Sequence, residues 1–152
     1  MLSKKAKYAI KALVLLGKNF DIRPMRISEI ATIENIPVNY LNGILKDLQN
    51  GSFVYSKKGS MGGYVLREAP DMITLDKIVR LLDGPIARVL CASLFHYHKC
   101  TECAEEATCS IRDLFIKMRE TDYQILAGTS IADMIRTESA LQVNLLDSKD
   151  IG

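Results

Sequence analysis

Residues 26–67 constrain this chain more than any other stretch. Arg26–Ile36 reads as a short helix that Ser28 can cap, with Ile30, Ala31 and Ile33 on its buried side and Glu34–Asn35 as the break. Pro37 follows at a place where proline is tolerated, the first turn of a new helix. That helix runs to about Asn50 and stops at Gly51, with Leu41, Ile44, Leu45 and Leu48 along one face. Its opposite face shows Asn39, Tyr40, Asn42, Gly43 and Lys46. Next come a β-type run, Ser52–Ser56, then KKGSMGG, then YVLR: two strands joined by a glycine-rich, dibasic turn. Two tightly joined helices followed at once by a hairpin predict a winged helix-turn-helix.

The chemistry of that unit suits a polyanion. Lys57 and Lys58 stand at the wing tip, placed to neutralise phosphates, and Gly59, Gly62 and Gly63 let the backbone turn and approach closely. A solvated hairpin turn is the plainer reading of such a loop, and the dibasic tip after a helix-turn-helix argues against it. Charge is distributed accordingly. Residues 1–70 carry a net charge of +6 and residues 71–152 a net charge of −4. A basic front and an acidic rear predict different tasks for the two halves.

Around this unit the pattern is helical. Ser3 is the expected N-cap of a helix from Lys4 to Leu16, ended by Gly17, with Ala6, Ala9, Ile10, Leu13 and Leu16 as its stripe. Glu68–Ile73 reads as a linker, and Thr74 as the cap of Leu75–Leu82, in which Leu75, Ile78, Val79, Leu81 and Leu82 cover the core. Asp83-Gly84-Pro85 stops that helix. Farther on, Ser110 and Asp113 form a weak capping box for a long amphipathic helix carrying Ile111, Leu114, Phe115, Met118, Ile125 and Leu126. Gly128 interrupts it, Thr129–Arg136 adds a short helix, and beyond Thr137 no pattern persuades.

The predicted fold is therefore mainly α with a small β-hairpin wing: a winged helix-turn-helix plus a long C-terminal dimerisation helix. The expected division is 1–84 for DNA binding, 85–109 for a cysteine-rich sensor loop, 110–137 for dimerisation and 138–152 for a tail. The long helix lacks a partner within so small a domain, so a two-fold homodimer is expected, with two winged helices reading two half-sites of double-stranded operator DNA. The longest apolar runs fall far short of the ~20 residues needed to span a membrane. Lys4, Lys5 and Lys7 precede an apolar run of only five residues, Ala12–Leu16, which argues against a signal peptide. A cytoplasmic protein is expected. No nucleophile–base pair, phosphate loop or paired carboxylates suggest an enzyme.

All four cysteines, Cys91, Cys100, Cys103 and Cys109, lie within nineteen residues of polar sequence. In a reducing compartment such a cluster points to metal or redox chemistry rather than structural disulfides. Zinc ribbons bring two close C-x2-C pairs, whereas this chain has one pair and two outlying cysteines. His96 and His98 lack the usual histidine spacing of a zinc finger, and a lone histidine there is more often a surface residue. The closely repeated ferredoxin run is absent as well, which weakens an electron-transfer or cluster-carrier reading. Lys99 and exposure would support a reactive thiolate. Metal, cluster and thiol switch remain open on spacing alone.

Taken together, LSKKAKYAIKAL, ISEIATIENIPVNYLNGILKDL, KKGSMGGYVL, ITLDKIVRLLDGP, the cysteine loop and the helix from Ile111 resemble the bacterial winged-helix regulators typified by the iron–sulfur regulator IscR and the nitric-oxide sensor NsrR. The resemblance spans about residues 1–137. It implies DNA recognition by Asn39, Tyr40 and Asn42, a wing contact by Lys58 in place of an arginine, and phosphate contacts near Ser3 and Lys5. Asn42 stands where IscR carries a glutamate, so operator preference does not carry over. Asparagine pairs with adenine, which would favour A·T contacts.

The same resemblance implies a DNA affinity controlled by an iron–sulfur cluster. Cys91, Cys103 and Cys109 match its three cysteines, and Cys100 is an addition. Arg112 replaces the histidine that completes the site in IscR and cannot ligate. Either Cys100 supplies the fourth ligand, giving an all-thiolate 4Fe–4S or 2Fe–2S site, or a non-cysteine residue or water completes it and Cys100 is free. The alternatives are a thiol-redox or zinc-binding regulator.

Overall fold

The computed structural model describes residues 2–147, and residues 148–152 of the expected tail lie outside that range. Ser3 begins the first helix, α1 (Lys4–Lys18), by accepting the Ala6 amide at 3.0 Å. The helix continues through Gly17, because Gly17 is a contact point rather than a stop. A Cβ there would lie 2.9 Å from Ile135 Cδ1. Helix α2 spans Ile27–Glu34 and α3 spans Val38–Asn50. Between them Asn35 adopts the left-handed conformation (φ 51°), a turn that asparagine tolerates.

Strands β1 (Val54–Lys57) and β2 (Gly63–Leu66) form the antiparallel wing, with Val54 opposite Leu66 and Lys57 opposite Gly63. A third segment joins them: Met25 and Tyr64 exchange both backbone hydrogen bonds, at 3.0 and 2.8 Å. After a 3-10 turn at Pro70–Met72 come α4 (Leu75–Asp83), the cysteine loop, α5 (Ser110–Ala127) and α6 (Ile131–Asp147).

One core unites the front of the chain with α6. Ala9, Leu13, Ile30, Leu41, Ile44, Leu45, Leu48, Val54 and Ile78 are buried around the crossing of α1, α3 and α4. Ile131, the first residue of α6, is fully buried in the same cluster, and Met134 and Ile135 pack against it. Two backbone hydrogen bonds clasp the starts of α4 and α6: the Leu75 amide donates to the Thr129 carbonyl and the Ile131 amide to the Ile73 carbonyl, both at 2.9 Å. Burying an isoleucine stabilises by about 1.5–3 kcal/mol, so α6 is a working part of the head.

Several local expectations need correction. Ser28 lies inside α2, where its carbonyl accepts the Thr32 hydroxyl, and the residue before the helix is Arg26. Ile33 faces solvent, 56% exposed, because the turn at Asn35 swings the end of α2 away from α3. Leu81 is also exposed, lying beside Gly51 at the rim of the core. Thr74 occupies the N-cap position of α4 but spends its hydroxyl on Asp76. The helix expected at Thr129–Arg136 starts at Ile131 and runs on to Asp147.

Candidate nucleic-acid interface and cysteine loop

Core packing on one side of α3 decides what the other side presents. With Leu41, Ile44, Leu45 and Leu48 buried, Asn39, Tyr40, Asn42, Gly43 and Lys46 are left exposed. Nothing lies within 4 Å of the place a Gly43 side chain would take, so a partner can approach the backbone there. Tyr40 is held edge-on to Tyr8, with ring centroids 5.8 Å apart, and Lys4 Nζ sits 5.5 Å from the Tyr8 ring. The N-terminal turn of α1 and the face of α3 thus form one continuous surface.

Within that surface Ser3 and Lys5 already have partners. The Ser3 amide donates to Asp83 at 2.8 Å and its hydroxyl donates to the same carboxylate. Lys5 pairs with Asp47 at 2.6 Å, both side chains 39% exposed. Lys4 and Lys7 remain exposed on the same helix.

Wing geometry follows from two glycines. Gly63 has φ +157° and lies against the Met25 backbone, where a Cβ would meet the carbonyl oxygen at 2.5 Å. The Gly62 amide donates to the Gly59 carbonyl at 3.0 Å and closes the tip. Lys57 ends β1, Lys58 begins the turn, and both are exposed along with Gly59. Arg26, which sequence reasoning passed over, donates to the Ser60 carbonyl at 2.6 Å and ties the wing tip to the start of α2.

The cysteine loop leaves α4 at Gly84 (φ 83°) and returns at Cys109. The cap of α5 is Cys109 itself rather than Ser110, its sulfur accepting the Arg112 amide at 3.4 Å. The Cys103 and Cys109 sulfurs are 3.5 Å apart. Hydrogen bonding to Cys100 and then Cys109 pushes the Cys103 thiol up to about 12. The Arg112 amide at the helix N-terminus, followed by the Cys103 thiol, brings Cys109 below the ordinary thiol value. The two thiols of the pair are thus shifted in opposite directions.

Other groups fix the ends of the loop. Arg112 Nε donates to the Cys91 carbonyl at 3.0 Å, joining the first cysteine to the helix begun by the last. Glu106 accepts the Tyr97 hydroxyl at 2.6 Å and the Cys100 amide at 3.0 Å. Those bonds, the Tyr97 hydroxyl first, lower the Glu106 carboxyl below its usual range. His96 and His98 are exposed. Among the described residues no three His, Cys, Asp or Glu side chains gather in metal-binding geometry. The four free, half-buried cysteines are soft sulfur donors, with Cys103 and Cys109 already side by side and the Cys91 backbone tied to Arg112. That donor chemistry fits an iron–sulfur cluster or zinc.

Beyond the loop, α5 has no buried residue, and Ile111, Leu114 and Ile125 are 54–63% exposed along it. No described helix is long and apolar enough to cross a membrane.

Comparison with known proteins agrees with this architecture. Residues 2–137 match the Rrf2 family, described as an iron-dependent transcriptional regulator. An rrf2-like helix-turn-helix regulator of Rhodobacter capsulatus is 36% identical over 89% of this chain and 92% of its own length. The regulator CymR of Bacillus subtilis is 31% identical over 88% of each chain. The solved structure of that protein, named the global cysteine regulator, superposes with a TM-score of 0.76 at 31% identity, covering 90% of this chain and 97% of its own. IscR from T. potens shares the fold at a TM-score of 0.75 and 21% identity, over 93% of this chain and 90% of its own. These relatives are named as regulators of transcription, not as enzymes. The chain belongs to the Rrf2 family of winged helix-turn-helix transcriptional regulators.

Proposed function

We propose that this regulator binds operator DNA as a homodimer and that a cluster held by its cysteine loop controls the affinity. The DNA-reading residues would be Asn39, Tyr40, Asn42 and Lys46 in the major groove. Lys57, Lys58 and Gly59 would meet the neighbouring backbone or minor groove, and Gly62 and Gly63 would shape that contact. Ser3 and Lys5 would flank a phosphate, acting through the exposed lysines beside them. The exposed stripe Ile111, Leu114 and Ile125 of α5 would face its copy, which suits a two-fold assembly. The division into head, loop, dimer helix and tail belongs to the same proposal, as does a cytoplasmic location.

One observation carries the sensory part: the Cys103 and Cys109 thiols lie 3.5 Å apart at the N-terminus of the same helix that exposes the dimerisation stripe. Cys91, Cys100, Cys103 and Cys109 would hold an iron–sulfur cluster of 4Fe–4S or 2Fe–2S type. Bound there, such a cluster supplies a centre responsive to redox state and small reactive gases. The chain's own part is mechanical. Arg112 fixes both ends of the loop, and Cys109 sets the first turn of α5. Asp83 ties the loop's origin to Ser3 on the DNA-facing end of α1. A coupling of ~1–3 kcal/mol through those ties changes operator affinity about 5- to 150-fold.

A second reading keeps the DNA-binding head and makes the loop a thiol switch or zinc site. The 3.5 Å separation of the Cys103 and Cys109 sulfurs favours it, as does the similarity to a protein named a cysteine regulator. Anaerobic purification separates the readings. The cluster reading expects a coloured protein with iron and acid-labile sulfide, and a weakened spectrum in Cys100→Ala. A colourless, iron-free protein that still discriminates operators removes the cluster. Thiol counting and zinc analysis on that sample then decide between switch and zinc.

A further inference from the structure

Between α4, the first half of the cysteine loop and α5 lies a cavity of about 290 Å³ that neither the DNA surface nor the thiols occupy. Pro85, Ile86, Ala87 and Leu94 give it an apolar lining, and the guanidinium groups of Arg80 and Arg119 line it as well. Arg80 lies 5.4 Å from the ring of Phe95 and 5.4 Å from that of Tyr123, a cation flanked by two aromatic rings. Arg119 is only 12% exposed. It donates one terminal nitrogen to the Ala92 carbonyl and the other to Glu120, and its Nε is buried with no hydrogen-bond partner.

An unpaired, buried donor on a cation inside a cavity is unusual, because buried polar groups are nearly always satisfied. A carboxylate oxygen is the acceptor that best complements a guanidinium. The carboxylates already present are committed: Asp76 to Arg80, and Glu120 at the surface to Arg119. Meanwhile Leu94 and Phe95, which border the cavity, are 63% and 72% exposed. A ligand with one anionic group and a flat apolar body would complement the two guanidinium groups that line the cavity and cover those side chains. The volume sits at the small end of ligand sites.

We propose that this cavity is an effector site for a small organic carboxylate with an aromatic or similarly flat apolar body. Its walls come from α4, the cysteine loop and α5, so an occupant would bear on the same elements as the thiols. None of the four cysteines lines the site.

The test uses the full chain and two matched probes, 4-fluorobenzoate and its neutral counterpart 4-fluorobenzamide, followed by fluorine NMR titration. Saturable binding of the benzoate, at least 10-fold tighter than the amide, is expected. Arg119→Lys, which keeps the charge but lacks the planar guanidinium, should weaken the benzoate about 10-fold. Ala87→Phe, which fills the cavity, should abolish binding while circular dichroism and the melting transition stay near those of the parent chain. Absence of saturable benzoate binding overturns the proposal. Equal affinity for the two probes overturns the anion assignment, and binding that survives Ala87→Phe places the ligand elsewhere. If Arg119→Lys does not fold, the benzoate–benzamide ratio and Ala87→Phe still decide.

Discussion

The Ser3 hydroxyl donates to the Asp83 carboxylate while its oxygen accepts the Ala6 amide, so one side chain both starts α1 and fastens it to the end of α4. Replacing Ser3 by alanine removes the cap and the tie together. Ser3→Ala is expected to cost about 1–2 kcal/mol in urea unfolding. A double-mutant cycle with Asp83→Asn should show positive coupling; strictly additive losses would mean that the tie contributes nothing.

Asp76 gives the head a defined acid response. Burial alone pushes its carboxyl up, but the Thr74 hydroxyl and the Arg80 guanidinium outweigh that and hold it below the ordinary carboxylate value. The unfolded chain therefore binds the proton more readily. The stabilisation is complete above the unfolded pKa of about 4 and is lost as pH falls through the lower folded value. Asp76→Ala should cost about 1–3 kcal/mol at pH 7 and flatten the stability profile below pH 4, as measured by thermal unfolding across pH.

Gly63→Ala is expected to displace the wing. The added methyl meets the Met25 carbonyl, and the two hydrogen bonds between Met25 and Tyr64 must open. Loss of about 2 kcal/mol or more, with the largest amide shifts at residues 25 and 63–65, is the expected NMR outcome. An unperturbed spectrum would contradict that close approach.

On DNA, Lys58→Ala and Asn42→Ala should fail differently. The lysine variant should weaken all sequences alike and lower the salt slope by about one unit. The asparagine variant should lose about 1–3 kcal/mol at one base pair of the operator and leave the slope unchanged. Fluorescence anisotropy at several salt concentrations distinguishes the two, and identical behaviour would remove Asn42 from base readout.

Truncation tests the closure of the head. A chain ending at residue 84 lacks Ile131 and the hydrogen bonds to Thr129 and Ile73, so its core is open beside α1. It should melt well below the full chain or bind a hydrophobic dye. Ile131→Ala in the full chain should cost about 2–5 kcal/mol.

Much of this architecture was legible in local sequence because local forces make it. Ser3, Pro37, Gly51 and the wing glycines mark boundaries by their own backbone and side-chain chemistry, and the stripe of α3 follows from helical period. What was missed is non-local or chemically unusual. The third wing segment at Met25 depends on a pairing with Tyr64 far along the chain. Cys109 caps α5 although thiols are outside the usual capping set. Helix α6 runs past Thr137 with Leu141 and Val143 exposed, so no buried stripe announced it. The cysteines could be counted in advance, but the contact between Cys103 and Cys109 and the helix end beside them could not.

The clasp between the starts of α4 and α6 makes the whole stretch between them a closed excursion, pinned at both feet by the Leu75–Thr129 and Ile131–Ile73 hydrogen bonds. The entropy of such a closed chain grows only with the logarithm of its length, so doubling it costs about 0.6 kcal/mol. Residues can therefore be added to or removed from the loop between α4 and α5 with little penalty to the head. Cys91, Cys100 and Cys103 all lie in that loop, where changes of length are tolerated. A lineage can therefore exchange one sensory chemistry for another while the DNA-reading surface stays in place.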